Sequence, residues 1–140
     1  MNRKPKILIV DDEEIVRRSY RRLLDEARCS AETATDGSEA LRAMTREPFD
    51  VVLLDLRMPG ADGLSVLKAI REGWPASEVV VITGYPTLET AKEAVRLGAY
   101  EYLAKPVEPA RVIQVAQGAA ERKRWALREA SQHNRERNMQ

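Results

Sequence analysis

Residues 51–63 read VVLLDLRMPGADG. The apolar run from Val51 to Leu54 ends on Asp55, and a Pro59-Gly60 pair and an Asp62-Gly63 pair follow at once. Together with Asp50 the run reads as a strand, and its lack of polar alternation means that both of its faces are buried. A carboxylate at the end of such a strand needs a partner. What that partner is depends on which charged residues close the other apolar runs.

Working outward, short apolar runs alternate with longer stretches of helical period. KILIV (6–10) is as apolar as the central run and ends on Asp11 and Asp12. From Glu13 to Ala27, Val16, Tyr20, Leu23 and Ala27 recur at helical spacing. SAETAT (30–35) is a weaker, alternating strand leading into an Asp36-Gly37 turn, after which Ser38 can cap a helix carrying Ala40, Leu41 and Met44. LSVLKAIRE (64–72) is the third helix and VVVIT (79–83) the fourth strand. Thr87 caps a helix that stops at Gly98, YEYLA (100–104) is the fifth strand, broken by Lys105-Pro106, and a last helix starts near Pro109.

Five strands, each followed by a helix, give an α/β domain with a doubly wound parallel sheet covered on both faces. In such sheets ligands bind beyond the carboxyl ends of the strands. Asp11 and Asp12, Asp55, Thr83 and Lys105 all stand at those ends, five polar side chains from four strands on one edge.

The bulk numbers agree with one compact domain. The chain has 140 residues, 44% hydrophobic and 32% charged, with a net charge of +1. A single cysteine, Cys29, excludes an internal disulfide and suits a reducing cytoplasm. No apolar run approaches the roughly 20 residues a membrane-spanning helix needs. The N-terminal MNRKPKILIV is too briefly apolar, and too soon acidic, for a signal peptide. Charge is uneven: residues 121–140 hold six basic residues (Arg122, Lys123, Arg124, Arg128, Arg135, Arg137) against three acidic ones.

Three crowded carboxylates repel one another, and a hard divalent cation offsets that repulsion. An all-oxygen set without His or Cys favours Mg²⁺ over Zn²⁺. Lys105 adds a compact positive charge for a phosphate oxygen or for Asp55, and Thr83 adds a hydroxyl donor. The backbone N–H groups of Leu56 and Gly84 are further candidate donors. The set describes a phosphoryl-transfer site in which a carboxylate is the nucleophile.

With ILIVDDE, DVVLLDLRMPGADG, VVVITGY and YLAKPV in this order, the chain resembles a response-regulator receiver domain of bacterial two-component signalling over roughly residues 5–118. The resemblance implies a flavodoxin-like (βα)5 fold with strand order 2-1-3-4-5. It makes Asp55 the phospho-acceptor, Asp12 the direct Mg²⁺ ligand, Asp11 a ligand acting largely through water, and the carbonyl of Arg57 the third protein ligand. Lys105 is then the phosphate-binding lysine, with a cis bond to Pro106. Thr83 is the switch hydroxyl, Gly84 the small residue that leaves room for the phosphoryl group, and Tyr102 the aromatic that swings inward. Arg57 and Tyr85, each two past a site residue, tune how long the phosphate lasts, with slow to moderate self-hydrolysis expected.

The implied partner is a sensor histidine kinase. The implied output is a repacked surface of the fourth helix, fifth strand and fifth helix, where a partner or a second copy docks. The stretch TGYPTLETAKEAVRLGAYEYLAKPV is most similar to receivers of sigma-54-type transcription activators, whose ATPase output domain is absent from these residues. A cytoplasmic signalling domain that is not a stand-alone enzyme is therefore expected, without nucleic-acid or membrane contact by the receiver itself.

Plainer readings stand beside these. Asp11 and Asp12 also suit a helix cap, Asp36 and Asp50 read as turn and cap residues, Asp62-Gly63 as turn chemistry, Cys29 as a spectator and His133 as solvated. A haloacid-dehalogenase-like phosphatase would need an acid at position 57, where Arg57 stands. A flavodoxin-like cofactor protein would need a Ser/Thr/Gly-rich loop where VDDEE stands. The remaining alternative is a receiver-fold interaction module that is not phosphorylated. Residues 119–140 read as a basic tail: a linker stub, or a helix lengthening the last one, whose Trp125, Ala126, Leu127 and Ala130 make no clean heptads.

Overall fold

The computed structural model describes residues 3–58 and 61–138. In chain order the sheet strands and helices are β1 (Lys6–Val10), α1 (Glu14–Glu26), β2 (Ser30–Ala34), α2 (Gly37–Arg46), β3 (Val51–Leu54), α3 (Gly63–Gly73), β4 (Glu78–Thr83), α4 (Leu88–Arg96), β5 (Glu101–Ala104) and α5 (Pro109–Asn138). A two-residue antiparallel ladder, Arg57–Met58 against Ala61–Asp62, closes the loop after β3. The Pro59-Gly60 turn lies outside the described residues, as do the side chains of Trp125, Ala126, Leu127, Ala130 and His133.

All sheet pairings are parallel, in the spatial order β2-β1-β3-β4-β5. Successive strand side chains point to opposite faces, which splits the core in two. Leu8, Val10, Val52, Leu54, Val79 and Val81 pack with Met44, Leu67, Ile70 and Ala94 of α2, α3 and α4. Ile7, Ile9, Val51, Leu53, Val80 and Ile82 pack with Leu24 of α1 and Val112, Val115, Ala116 and Ala119 of α5. The absence of polar alternation in the sequence of β1, β3 and β4 is explained by this double cover.

Caps set where the helices begin. Thr87 caps α4 as expected, its side chain accepting from Thr90 N while Thr90 Oγ1 accepts from Thr87 N. Of the two candidates before α2, Asp36 is the cap, accepting from Glu39 N at 2.8 Å, while Ser38 lies inside the helix. A carboxylate is the stronger acceptor at the positive end of a helix. Asp62 likewise caps α3 through Leu64 N at 3.1 Å, so Asp62-Gly63 starts a helix and is not a free turn.

Asp50 departs furthest from its turn-and-cap reading. It is buried, accepts from Lys6 N at 2.7 Å, and meets Lys123 Nζ at 2.6 Å and Arg3 at 3.4 Å. Burial works against its ionisation, but the Lys123 hydrogen bond and the Lys6 amide prevail and lower its pKa. Lys123 belongs to α5, which continues unbroken through Gly118, with Ala119 and Ala120 buried against the sheet. The packed body thus reaches past residue 118. Among the described residues no helix is long and apolar enough to cross a membrane.

Candidate functional site

Hydrogen bonding one step beyond the strands fixes the site backbone. Asp11 N donates to Ala34 O at 3.2 Å, Asp55 N to Val10 O at 3.0 Å and Lys105 N to Thr83 O at 2.8 Å. The backbone amides of these three residues are therefore tethered to the neighbouring strand. Lys105 Nζ lies 2.8 Å from Asp11 Oδ2 and 3.1 Å from Asp55 Oδ2, bridging two carboxylates that come from β1 and β3. Carboxylate oxygens of Asp11, Asp12 and Asp55 all lie within 4.8 Å of one another. Asp11 and Asp55 are buried and Asp12 faces solvent.

The charges do not balance. Burial raises the pKa of Asp55, outweighing the N–H of Arg57, which donates to Oδ1 at 3.0 Å, and the hydrogen bond from Lys105. Burial also opposes the charge of Lys105, yet its hydrogen bonds to Asp11 and Asp55 push it up to about 12. One ammonium shared between two carboxylates, with a third beside them, leaves net negative charge in a partly dry cleft. An all-oxygen donor set with an unneutralised carboxylate fits a hard divalent cation. Asp11 also accepts from Glu13 N at 2.9 Å, which turns the chain towards α1, but the cap position of that helix is Glu13, without a side-chain cap hydrogen bond, so neither Asp11 nor Asp12 is its cap.

Around this centre, Thr83 is buried at the end of β4 and its hydroxyl accepts from Tyr85 N at 3.2 Å. A Cβ on Gly84 would stand 3.8 Å from Lys105 Cδ, which places Gly84 beside the lysine stem. The Lys105-Pro106 bond is cis, as the resemblance implied. Tyr102, on β5, is half-buried, with its hydroxyl 2.6 Å from Thr90 Oγ1 and 3.3 Å from the N–H of Thr87. The Arg57 guanidinium lies 3.8 Å over the Tyr85 ring.

Asp11, Asp12, Asp55, Arg57, Thr83, Gly84, Tyr85, Lys105 and Pro106 thus stand at or beside one edge, with Tyr102 within β5 nearby. Four participants were not singled out. Glu13 stands 3.9 Å from Lys105 Nζ, readable only as the next acid after Asp11-Asp12. Arg17 donates to Asp11 O at 2.9 Å. Tyr20 packs under Asp11 and Asp55, and burial raises its pKa. Thr90, in the first turn of α4, has its hydroxyl 2.6 Å from that of Tyr102. Each depends on which helix face meets the strand ends.

Comparison with known proteins decides what this geometry belongs to. The response regulator receiver domain family matches residues 7–117. The chain belongs to that family.

Among relatives of this receiver domain, the response regulator protein PilR of Pseudomonas aeruginosa is 34% identical over 132 residues, covering 94% of this chain and 30% of PilR. The DNA-binding transcriptional regulator NtrC of Klebsiella pneumoniae is 41% identical over 100 residues, 71% of this chain and 21% of that protein. Among solved structures, NtrX from Brucella abortus superposes with a TM-score of 0.84 at 36% identity, over 92% of this chain and 30% of that one. A CheY-like receiver domain protein from Methanospirillum hungatei gives 0.86 at 26% identity, covering 89% of this chain and 99% of its own. The chain spans about a quarter of the length of the first curated relatives it matches.

Proposed function

We propose that this receiver accepts a phosphoryl group on Asp55 from the phosphohistidine of a sensor histidine kinase and switches conformation in response. The observation that carries the reading is Lys105 Nζ bridging Asp11 and Asp55 within a three-carboxylate cluster. In the step, a carboxylate oxygen of Asp55 forms the new P–O bond as the P–N bond to the donor histidine breaks, and the imidazole leaves with a proton. Asp11, Asp12, Asp55 and the carbonyl of Arg57 are the residues that would hold Mg²⁺. Bound there, Mg²⁺ supplies positive charge to the equatorial phosphoryl oxygens. Lys105, whose pKa the hydrogen bonds to Asp11 and Asp55 raise, serves as the fixed cation of the site.

The switch follows from what the phosphoryl group attracts. The Thr83 hydroxyl now serves as an acceptor for Tyr85 N; moved to donate to a phosphoryl oxygen, it empties space beside β5. Tyr102 fills that space only by giving up Thr90 and the Thr87 N–H at the start of α4. Phosphorylation thereby biases two packings of the α4-β5-α5 face. Leu88 and Val95 on α4 are 73% and 69% exposed, an apolar pair suited to a partner or a second copy. The Arg57–Tyr85 stack spans the loops after β3 and β4 and impedes an attacking water, which sets slow to moderate self-hydrolysis. As a cytoplasmic signalling domain, the receiver acts through a separate output; its relative NtrC is a DNA-binding transcriptional regulator.

Intact-mass analysis after incubation with acetyl phosphate tests this. One phosphoryl adduct is expected with Mg²⁺ present, and none in its absence or in Asp55→Asn. An adduct that forms without Mg²⁺ or survives Asp55→Asn would overturn the assignment. A folded wild type that forms no adduct with acetyl phosphate or with a kinase donor would leave the interaction-module reading in its place.

A further inference from the structure

Polar groups at the start of α4 close a ring around the tip of Tyr102. The N–H of Thr87 reaches the Tyr102 hydroxyl at 3.3 Å, and that hydroxyl lies 2.6 Å from Thr90 Oγ1. Thr90 Oγ1 turns in its own direction to Thr87, whose carbonyl lies at 3.2 Å and whose hydroxyl lies at 2.9 Å. A threonine hydroxyl has a single proton. With that proton given to Thr87, the proton of the 2.6 Å contact is that of Tyr102, which keeps a lone pair for the Thr87 N–H. Donor and acceptor roles then run one way round the ring.

The cap of α4 does not need the tyrosine. Thr87 Oγ1 accepts from Thr90 N at 3.0 Å and Thr90 Oγ1 accepts from Thr87 N at 3.3 Å, so the helix is capped by its own residues. What the Thr90 hydroxyl adds is a grip on β5. The register places that grip. Tyr102 pairs with Val81, two residues before Thr83, so Thr83 and Tyr102 project from the same face of the sheet. On that face the Tyr102 ring packs against the core shared with α2, α3 and α4. The 2.6 Å contact ties the ring to α4 and opposes its movement toward Thr83.

We propose that Thr90 is a positioning residue for the switch: its hydroxyl latches Tyr102 in the outward packing, and the strength of this contact sets how much of the unphosphorylated receiver already adopts the other packing. This rests on the proposed function, because it takes Thr83 and Tyr102 as the moving pair. A phosphoryl group that favours the inward packing binds with an affinity reduced by the fraction of protein latched outward. Releasing the latch raises that affinity without altering any residue around Asp55.

The test is the affinity of the full chain for beryllium fluoride with Mg²⁺, a phosphoryl mimic that sits on a carboxylate, by isothermal titration calorimetry. The ring signals of Tyr102 by solution NMR and urea unfolding are read on the same samples. Thr90→Val keeps the shape of the side chain and drops its hydroxyl. It is expected to tighten binding by about two- to tenfold, the range one neutral hydrogen bond supplies, and to move the Tyr102 signals of the free protein toward those of bound wild type. Thr90→Ser keeps a hydroxyl and is expected to match wild type in both readouts. Thr87→Ala removes the side-chain cap and is expected to lose stability with affinity and signals unchanged, which separates the latch from a loosened helix. In a Tyr102→Phe background the other half of the contact is gone, so adding Thr90→Val is expected to change affinity by less than about twofold. Should Thr90→Val fail to fold, Thr90→Ala drops the same hydroxyl with a better helix former and carries the same expectation.

Unchanged or weaker binding in the variant that lacks the Thr90 hydroxyl overturns the proposal. Equal tightening in Thr90→Ser or Thr87→Ala does so too, as does an undiminished effect in the Tyr102→Phe background. A wild type that binds no beryllium fluoride overturns the underlying functional reading as well, and so is distinguishable from failure of the latch alone.

Discussion

The two ends of β3 carry the same side chain with opposite consequences. Asp50 precedes the strand and Asp55 follows it, and their exposures are 5% and 6%. Each has a lysine within hydrogen-bond distance, yet the pKa of Asp50 is lowered and that of Asp55 is raised. The difference lies in the company. Asp50 is a single carboxylate receiving Lys123, Arg3 and the Lys6 N–H. Asp55 shares Lys105 with Asp11 and has Asp12 beside it. One end is a satisfied clamp that ties β1, β3 and α5 together. The other keeps an excess of negative charge that a divalent cation would relieve.

The comparison breaks first, if it breaks at all, at the clamp. Asp50→Ala leaves Lys123 buried without its partner, and loss of one member of a buried pair costs about 3 kcal/mol. Urea unfolding should show that loss, while the acetyl phosphate adduct on the surviving folded protein is unchanged. A cost well under 1 kcal/mol would mean that the clamp is ornamental.

Next is the response to cation. At a Mg²⁺ concentration ten times the dissociation constant, wild type should gain about 1.4 kcal/mol of stability, read as a rise in Tm. Asp55→Asn should lose most of that gain. Without Mg²⁺, however, Asp55→Asn should be more stable than wild type by about 1 kcal/mol, or a few degrees in Tm, because it removes a poorly compensated buried charge. A metal-free Asp55→Asn protein that melts below wild type would contradict that excess.

Acid sharpens the contrast, because the two effects vanish on opposite sides of the ordinary Asp value of 3.8. The folded pKa of Asp55 is raised, so its ionised form costs stability at neutral pH. The advantage of Asp55→Asn should close as pH falls through the raised value and be gone by about 3.8. The folded pKa of Asp50 is lowered, so its contribution is complete above 3.8 and is lost only as pH falls below that. Melting curves of the two variants and wild type across this range check the order. If both gaps close together, the opposite shifts are refuted.

The smallest effect belongs to the mouth of the site. Tyr85→Ala removes the stack with Arg57, an interaction of about 0.5–1 kcal/mol, so the Asp55 phosphoryl group should be lost about two- to fivefold faster. Decay of the adduct by intact mass reads this directly, and an unchanged rate would remove the stack from the account.

The end of β3 that carries Asp55 was legible in the sequence as part of a converging edge, and the clamped end was not. Asp11, Asp55, Thr83 and Lys105 each close an apolar run, and in a parallel sheet all run ends meet at one edge; the inference needs only the order of the runs. Asp50 opens a run and looks like any turn acid, because its partner Lys123 lies 73 residues away on a helix whose length past Gly118 the composition left undecided. The cap of α2 was left between two residues for a related reason: Asp36 and Ser38 both satisfy capping preference, and only the backbone path selects between them. Arg57 and Tyr85 were singled out separately, while their contact requires β3 and β4 to be neighbours.

One measurement tests the contrast between the two ends most directly. Borohydride reduces an aspartyl phosphate to homoserine, and trypsin releases residues 47–57, EPFDVVLLDLR, with Asp50 and Asp55 in a single peptide. After acetyl phosphate and Mg²⁺ treatment, fragmentation of that peptide should place homoserine at position 55 and leave position 50 as aspartate. Homoserine at position 50, or on Asp11 or Asp12 with position 55 intact, would contradict the account.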